Sequence, residues 1–179
     1  AHKFYGPKGI GALFIRQPLA NKLQPIIFGG GQELGIRSGT LPTMLCVGLG
    51  HACQIASEEM AQNEETTRQL RDAFLSIVRK KAPDLRINGH MESRLAGNLS
   101  LCFPNVPAEG LLGKLHYKVA ASTGSACTSG FIEPSHVLLA LGLSVEDVHC
   151  SIRFGFGVGL SLKQVKAAAN IVGSDAGNF

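Results

Sequence analysis

The chain has 179 residues, of which 45% are hydrophobic and 17% are charged. Its mean hydropathy of +0.15 excludes an intrinsically disordered chain, and it contains no run of about 18 apolar residues that could cross a membrane as a helix. Seventeen Lys and Arg against 13 Asp and Glu give a net charge of +4. The basic residues are scattered and Trp is absent, so no nucleic-acid-binding surface is predicted.

The first 41 residues are predicted to form short elements joined by glycine-rich turns. Apolar runs at 10–15 and 26–28 predict two strands, and the polar segment 32–40 predicts a loop. From Pro42 to about Lys81 the apolar residues recur every three or four positions, which predicts one long helix. Pro42 and Pro83 suit the limits of that helix.

Beyond Pro83 the predicted elements are short and alternate in type. Strands are predicted at 85–87, 99–103, 119–121 and 151–154, and helices at 108–115, 135–141, 145–149 and 162–172, with Ser135 as a helix cap. This alternation predicts a compact α/β lobe. A polar loop is predicted over 122–133.

The cysteine pattern favours a reducing compartment, because the count is odd and no two cysteines are separated by only two residues. A disulfide framework and a metal site are therefore not predicted. Cys127 stands apart, since it lies in the polar run Ser-Thr-Gly-Ser-Ala-Cys-Thr-Ser-Gly (122–130), where a reactive thiol is as reasonable as a packed one. The five cysteines are Cys46, Cys53, Cys102, Cys127 and Cys150.

Two basic residues are also candidates for chemistry. Lys3 follows His2 and precedes a Gly-Pro turn, where it is either an ordinary surface residue or a reactive amine. Arg153 lies in an apolar predicted strand, and its charge is costly to bury alone. Either a structural salt bridge or a bound anion would satisfy it.

Taken in order, four segments resemble cysteine desulfurases of the NifS/IscS-like group, which are class V, fold type I enzymes that use pyridoxal 5'-phosphate. The segments are AHKFYGPKGIGALFIR at 1–16, GGGQELGIRSGT at 29–40, STGSACTSGFIEPSHVLLALG at 122–142 and SIRFGFG at 151–157. The resemblance implies an α/β fold in three parts. Residues 1–41 would be the remnant of a large cofactor-binding domain, 42–82 a long bridging helix, and 83–179 a small domain that carries the cysteine loop.

The resemblance also implies a role for each candidate residue. Lys3 would bond covalently to pyridoxal 5'-phosphate and move protons, and His2 would help to bind its phosphate. Thr40 would reach the cofactor of a neighbouring subunit, which implies a homodimer. Arg153 would hold the carboxylate of L-cysteine. Cys127 would take the substrate sulfur as a persulfide and leave L-alanine.

The expected partners are an iron–sulfur scaffold or other sulfur-acceptor proteins, including those of tRNA thiolation, in the cytoplasm or mitochondrial matrix. No membrane, direct nucleic-acid or metal binding is expected. Three alternatives stay open: a selenocysteine lyase, a non-catalytic dimerisation or scaffold-binding module, and a small redox protein that uses only Cys127.

The chain departs from the resembled pattern in two places. Leu34 replaces a usual arginine, and Gly-Val-Gly-Leu at 157–160 replaces a usual Gly-Arg-Phe-Thr. The chain also begins without Met, one residue before His2. Because the chain begins at this point of the pattern, we expect it to be the C-terminal half of a desulfurase. Alone, this half would bind the cofactor poorly and catalyse the reaction slowly.

Overall fold

The computed structural model describes residues 1–20, 22–123 and 134–179. The chain divides into two compact units, residues 1–60 and residues 61–179. Residues 124–133 of the loop predicted over 122–133, including Cys127, lie outside the described residues. The three-part domain division at 41 and 82 stays a prediction.

The first unit contains little regular structure before its long helix. It has two 3-10 turns, His2–Phe4 and Gln32–Gly35, and a short helix α1, Gln17–Ala20. The strand predicted at 10–15 is wrong, because those residues form no ladder with another described segment, and a strand is stable only against a neighbour. The carbonyl oxygen of Ile10 accepts from the N-terminal ammonium of Ala1 at 2.7 Å. Of the strand predicted at 26–28, a single bridge between Ile27 and Arg37 is found.

The long helix is confirmed as α2, Thr43–Lys81, which spans 39 residues. Its exposed middle is supported by side-chain pairs one turn apart, such as Gln54 with Glu58 at 2.9 Å and Arg68 with Glu64 at 2.6 Å. Buried side chains begin only at Thr67 and then follow a helical stripe. Only the last four turns of α2 therefore contribute to a core.

The second unit is an antiparallel sheet covered by helices. Its strands are β1 (Arg86–Ile87), β2 (Asn98–Cys102) and β3 (Ser151–Gly155), in the order β1-β2-β3. The strand predicted at 119–121 is wrong, since only the following Ser122 bridges to Arg153. The helices are α3 (Ala108–Leu115), α4 (His136–Ala140), α5 (Val145–His149) and α6 (Leu162–Gly177).

The core of this unit forms where one face of the sheet meets three helices. Alternate residues of β2 and β3 are buried against α2, α3 and α6. The ring of Phe74 on α2 lies 4.9 Å from that of Phe154 on β3. The sheet residues that supply this face are Leu99, Leu101, Ile152 and Phe154.

We predict that Leu101→Ala lowers the free energy of unfolding by about 2–5 kcal/mol, because it leaves a cavity around a side chain that is 0% exposed. The matched variant Leu95→Ala, at a position that is 80% exposed, is expected to stay within about 0.5 kcal/mol of the parent. Urea denaturation measures both. Equal losses for the two variants would contradict the described core.

Candidate functional site

Lys3 lies on a tight turn at the start of the first unit. Residues His2–Phe4 form a 3-10 turn, which ends at Tyr5 with a left-handed φ of 69°. The backbone N–H of Gly6 donates to the carbonyl oxygen of Ala1 at 3.0 Å and closes the turn. The turn therefore presents two adjacent side chains, His2 and Lys3, from one short piece of backbone.

Small residues on α2 allow this segment to lie against the helix. A Cβ atom at Gly6 would be 3.2 Å from the Cβ of Ala52, and one at Gly48 would be 3.0 Å from Cγ of Pro7. Gly48 and Ala52 are one helical turn apart and so share a face of α2. Larger residues at these positions would push away the backbone that carries Lys3.

The side chains of His2 and Lys3 are both exposed, and neither has a hydrogen bond or ion pair with a described residue. An amine that condenses with an aldehyde must be accessible and unengaged. An ammonium and an imidazole are also suitable donors to a phosphate. This pair of side chains therefore fits an anionic aldehyde such as pyridoxal 5'-phosphate.

Thr40 follows a glycine-rich segment that is closed by its own polar contacts. The buried hydroxyl of Ser38 donates to the carbonyl oxygen of Gly30 at 2.7 Å, and the N–H of Gly39 donates to Oε1 of Gln32 at 3.1 Å. Gly39 has a φ of 108°, a conformation that favours glycine. These contacts leave the Thr40 side chain exposed, and its contact with a cofactor stays a prediction.

Arg153 projects from the exposed face of the sheet in the second unit. Its backbone N–H donates to the carbonyl oxygen of Ser122 at 2.7 Å, and the N–H of Ser122 donates back at 3.2 Å. Its guanidinium Nη2 also donates to Oγ of Ser122 at 3.3 Å. The alternative of a structural salt bridge finds no support, because Arg153 has no ion pair with a described residue. The expected cost of burial does not arise, since strand alternation exposes the side chain.

A cavity of about 300 Å³ opens beside Arg153. Arg94 also lines it, but its guanidinium donates to the carbonyl oxygens of His90 at 2.5 Å and Asn88 at 2.6 Å. Burial, followed by the nearby charge of Arg71, lowers the pKa of Arg94 from its ordinary value. Of the two arginines that line this cavity, Arg153 is the one whose guanidinium donates to no carbonyl group of a described residue.

Sequence reasoning missed two polar residues next to Arg153. Ser100 lies opposite Arg153 in the β2–β3 register, and Ser122 binds it directly. Ser100 stands between two leucines, so strand alternation could have identified it as a cavity residue. No comparable signal marks Ser122, because its contact depends on a bridge between distant segments. Ser135 lines the same cavity and caps α4 as predicted, accepting from the N–H of Leu138.

The structure separates Cys102 from the remaining described cysteines. Cys102 is buried on β2, and burial, followed by the negative charge of Asp147, raises the pKa of its thiol. Cys53 is exposed, whereas Cys46 and Cys150 are half-buried. Cys127 lies outside the described residues. Within the described ranges, no group of three or more His, Cys, Asp or Glu could hold a metal ion.

The predicted site residues thus fall into two groups. His2 and Lys3 share one turn in the first unit, which also contains Thr40. Arg153 belongs to the second unit, where Ser122 connects it to the segment that leads to Cys127 in the sequence. None of the helices in the described part of the chain is long and apolar enough to cross a membrane.

Comparison with known proteins identifies the family. The sequence pattern of the aminotransferase class-V family matches residues 1–167. The chain belongs to this family. It is 46% identical over 171 residues to a mitochondrial cysteine desulfurase of Arabidopsis thaliana, covering 96% of this chain and 38% of the relative. It is also 46% identical over 171 residues to the cysteine desulfurase IscS of Rickettsia prowazekii, covering 96% and 42%.

Structural comparison supports the same class V assignment. A solved structure titled NifS-like protein superimposes with a TM-score of 0.83 and 31% identity, over 96% of this chain and 43% of that one. The predicted α/β fold of fold type I is therefore confirmed as a partial fold of this class, and the resemblance to the NifS/IscS-like group is confirmed with it. The chain spans about two-fifths of the length of these relatives.

We predict that iodoacetamide modifies Cys53 in the folded chain and leaves Cys102 unmodified. Thiolate is the reacting form, and burial disfavours it at Cys102. Peptide mass spectrometry at mildly alkaline pH measures both sites, and urea should make Cys102 as reactive as Cys53. Because the pKa of the Cys102 thiol is raised in the folded state, the protonated thiol stabilises the folded chain at pH values below the ordinary thiol pKa. This stabilisation is lost as the pH rises through the folded-state pKa. Rapid modification of Cys102 without urea would contradict its burial.

Proposed function

We propose that this chain carries the sulfur-accepting part of a cysteine desulfurase, which converts L-cysteine to L-alanine and leaves a persulfide on Cys127. The observation that supports the proposal is the exposed side chain of Arg153. Its backbone exchanges two hydrogen bonds with the backbone of Ser122, and its guanidinium Nη2 donates to Oγ of Ser122 at 3.3 Å. Ser122 begins the run that contains Cys127 five residues later. The cation proposed to bind the carboxylate is therefore bridged to the residue that precedes the proposed nucleophile by five positions in the sequence.

Each candidate residue would have a role that suits the chemistry of its side chain. When bound, pyridoxal 5'-phosphate withdraws electrons from the α-carbon of an amino acid. The exposed amine of Lys3 would hold the cofactor and later accept the α-proton of the substrate. His2 and Thr40 would bind the phosphate. The planar guanidinium of Arg153 would bind both oxygens of the substrate carboxylate.

Cys127 would act as the nucleophile. Its thiolate would attack the substrate sulfur, forming an S–S bond as the bond between that sulfur and the β-carbon breaks. The bonding electrons would remain with the carbon product, which takes up protons and leaves as L-alanine. The sulfur would stay on Cys127 as a persulfide, and a sulfur-acceptor protein would remove it.

A homodimer is part of the proposal. Thr40 is exposed and unengaged among the described residues, as a side chain that completes the site of a neighbouring subunit would be. The first unit also exposes apolar side chains of a kind that usually mark protein interfaces. The most exposed are Leu13, Phe14, Ile26, Phe28, Leu34 and Met44.

A reducing compartment, the cytoplasm or the mitochondrial matrix, suits this chemistry because the attacking cysteine must stay a thiol. The relatives named above include a mitochondrial and a bacterial cysteine desulfurase. The acceptor would be an iron–sulfur scaffold or another sulfur-carrying protein. His2, Lys3 and Thr40 supply few contacts for a cofactor, so the chain alone is expected to bind it weakly.

We predict that Cys127→Ser lowers alanine formation from L-cysteine by about 100-fold or more, because a hydroxyl is a far weaker nucleophile toward sulfur. The chain is assayed with pyridoxal 5'-phosphate and with the part of the Arabidopsis thaliana relative that lies outside the match. Cys53→Ser is the matched control and should stay within about two-fold of the parent. Full activity of the Cys127 variant would refute the assigned nucleophile. No alanine from the parent mixture would instead favour a non-catalytic module.

We further predict that Arg153→Gln raises the KM for L-cysteine by about 10–100-fold, because a charged hydrogen bond to the carboxylate is lost. Ser122→Ala removes only the contact between Oγ and the guanidinium, and should raise KM by less than about 10-fold with little change in kcat. Lys163→Gln, at an exposed position on α6, is the control. An unchanged KM in the Arg153 variant would exclude this residue as the carboxylate ligand.

A further inference from the structure

A basic groove runs along the last turns of α2, on the same unit as Arg153 but outside the cavity described above. Its volume is about 720 Å³, and the turn at residues 91–92 forms its second wall. From Arg68 to Arg79 the groove follows eleven residues of helix, or about 16 Å. We call this surface the basic groove and define it by Arg68, Arg71, Leu75, Arg79, Lys80 and Met91.

The end of the groove near the C-terminus of α2 carries free positive charge. Arg79 and Lys80 are exposed, and neither has an ion pair or hydrogen bond with a described residue. The next residue, Lys81, differs, because its Nζ donates to Oγ of Ser174 at 2.9 Å and to the carbonyl oxygen of Asn170 at 3.3 Å. Lys81 fastens α2 to α6, whereas Arg79 and Lys80 have no such structural role.

Two more cations line the groove, Arg68 and Arg71. Arg68 is compensated by Glu64 at 2.6 Å and by Glu65 at 3.6 Å, whereas Arg71 is mostly buried. Its side chain is only 4% exposed, and its Nε and Nη2 both lie 2.8 Å from Oδ1 of Asp72. Its Nη1 is buried without a hydrogen-bond partner among the described residues. Asp72 compensates Arg71, and Glu92 is the remaining acid of the groove. The charge that remains is positive, and it lies toward Arg79.

The wall of the groove is partly apolar. Leu75 is buried in the core and Met91 is half-buried, and both line the groove between its charged ends. Methionine on a binding surface adapts readily to apolar partners. The groove thus combines cations for acidic side chains with an apolar patch for an aliphatic one.

We propose that the basic groove binds an acidic peptide segment of a partner protein, with Glu or Asp near Arg79 and Lys80 and an aliphatic side chain against Leu75 and Met91. Charge complementarity selects the acidic side chains. The apolar wall distinguishes this partner from a nucleic acid, whose backbone would call for a continuous line of cations. The length of the groove matches about five residues of extended chain.

The test uses the full chain and a fluorescein-labelled peptide, Glu-Glu-Ser-Leu-Ser-Glu, at low ionic strength, where such contacts are strongest. Anisotropy is expected to show saturable binding. The double variant Arg79→Gln/Lys80→Gln should weaken the binding by at least about 10-fold. Lys163→Gln/Lys166→Gln removes the same charge from the exposed face of α6 and should change it by less than about two-fold. Both pairs of substituted positions are exposed, so the circular dichroism spectrum of each double variant should match that of the parent chain.

Four further probes decide the class of ligand: two peptide analogues, inorganic phosphate and an oligothymidylate. The Gln analogue of the peptide and its Leu→Ser analogue should each bind more weakly than the parent peptide. Equal weakening by both double variants would mean attraction to net charge alone and would overturn the proposal. So would displacement of the peptide by inorganic phosphate at equal concentration, which indicates a small-anion site. Tighter binding of an oligothymidylate of equal charge would assign the groove to nucleic acid instead.

Discussion

The antiparallel register of β2 against β3 is the constraint on which the second unit depends. With Ser100 opposite Arg153 and Leu101 opposite Ile152, each strand turns its apolar residues toward the helices. The polar residues of β2 and β3 then line the cavity on the opposite face of the sheet. A slip of one residue would exchange the two faces, placing the guanidinium in the core. The same register that buries Leu101 therefore exposes Arg153.

The position of Arg153 also depends on a contact beyond the sheet. Ser122 exchanges two backbone hydrogen bonds with it, although 31 residues separate them in the sequence. Arg94 holds the neighbouring wall through the carbonyl oxygens of Asn88 and His90. Arg94 thus uses its guanidinium to hold the cavity wall, whereas the guanidinium of Arg153 donates to no carbonyl group of a described residue. This difference between the two arginines supports the proposal that Arg153 binds the substrate carboxylate.

Helix α2 serves both units by different means. In the first unit its small residues Gly48 and Ala52 allow the segment that carries Lys3 to approach closely. In the second unit its buried stripe, which includes Phe74, packs against the sheet. The turns that supply this stripe direct Arg79 and Lys80 outward, because a helix with one buried stripe leaves its other faces to solvent. The core and the basic groove are therefore two faces of the same helical segment.

The sequence by itself determined the long helix, the helices of the second unit, the family and the choice of candidate residues, but not the short helix α1. Helical periodicity is local, so α2 and α3 were predictable from apolar spacing, and the motifs around Lys3 and Arg153 carry the resemblance to desulfurases. The tertiary structure decided what depends on partners distant in the chain. The apolar runs at 10–15 and 119–121 have the composition of strands but form no ladder with any segment that the structure describes. The exposure of Arg153, its contact with Ser122 and the free charge of Arg79 all follow from pairing and packing. Such contacts form between segments far apart in sequence, and no local sequence pattern predicts them.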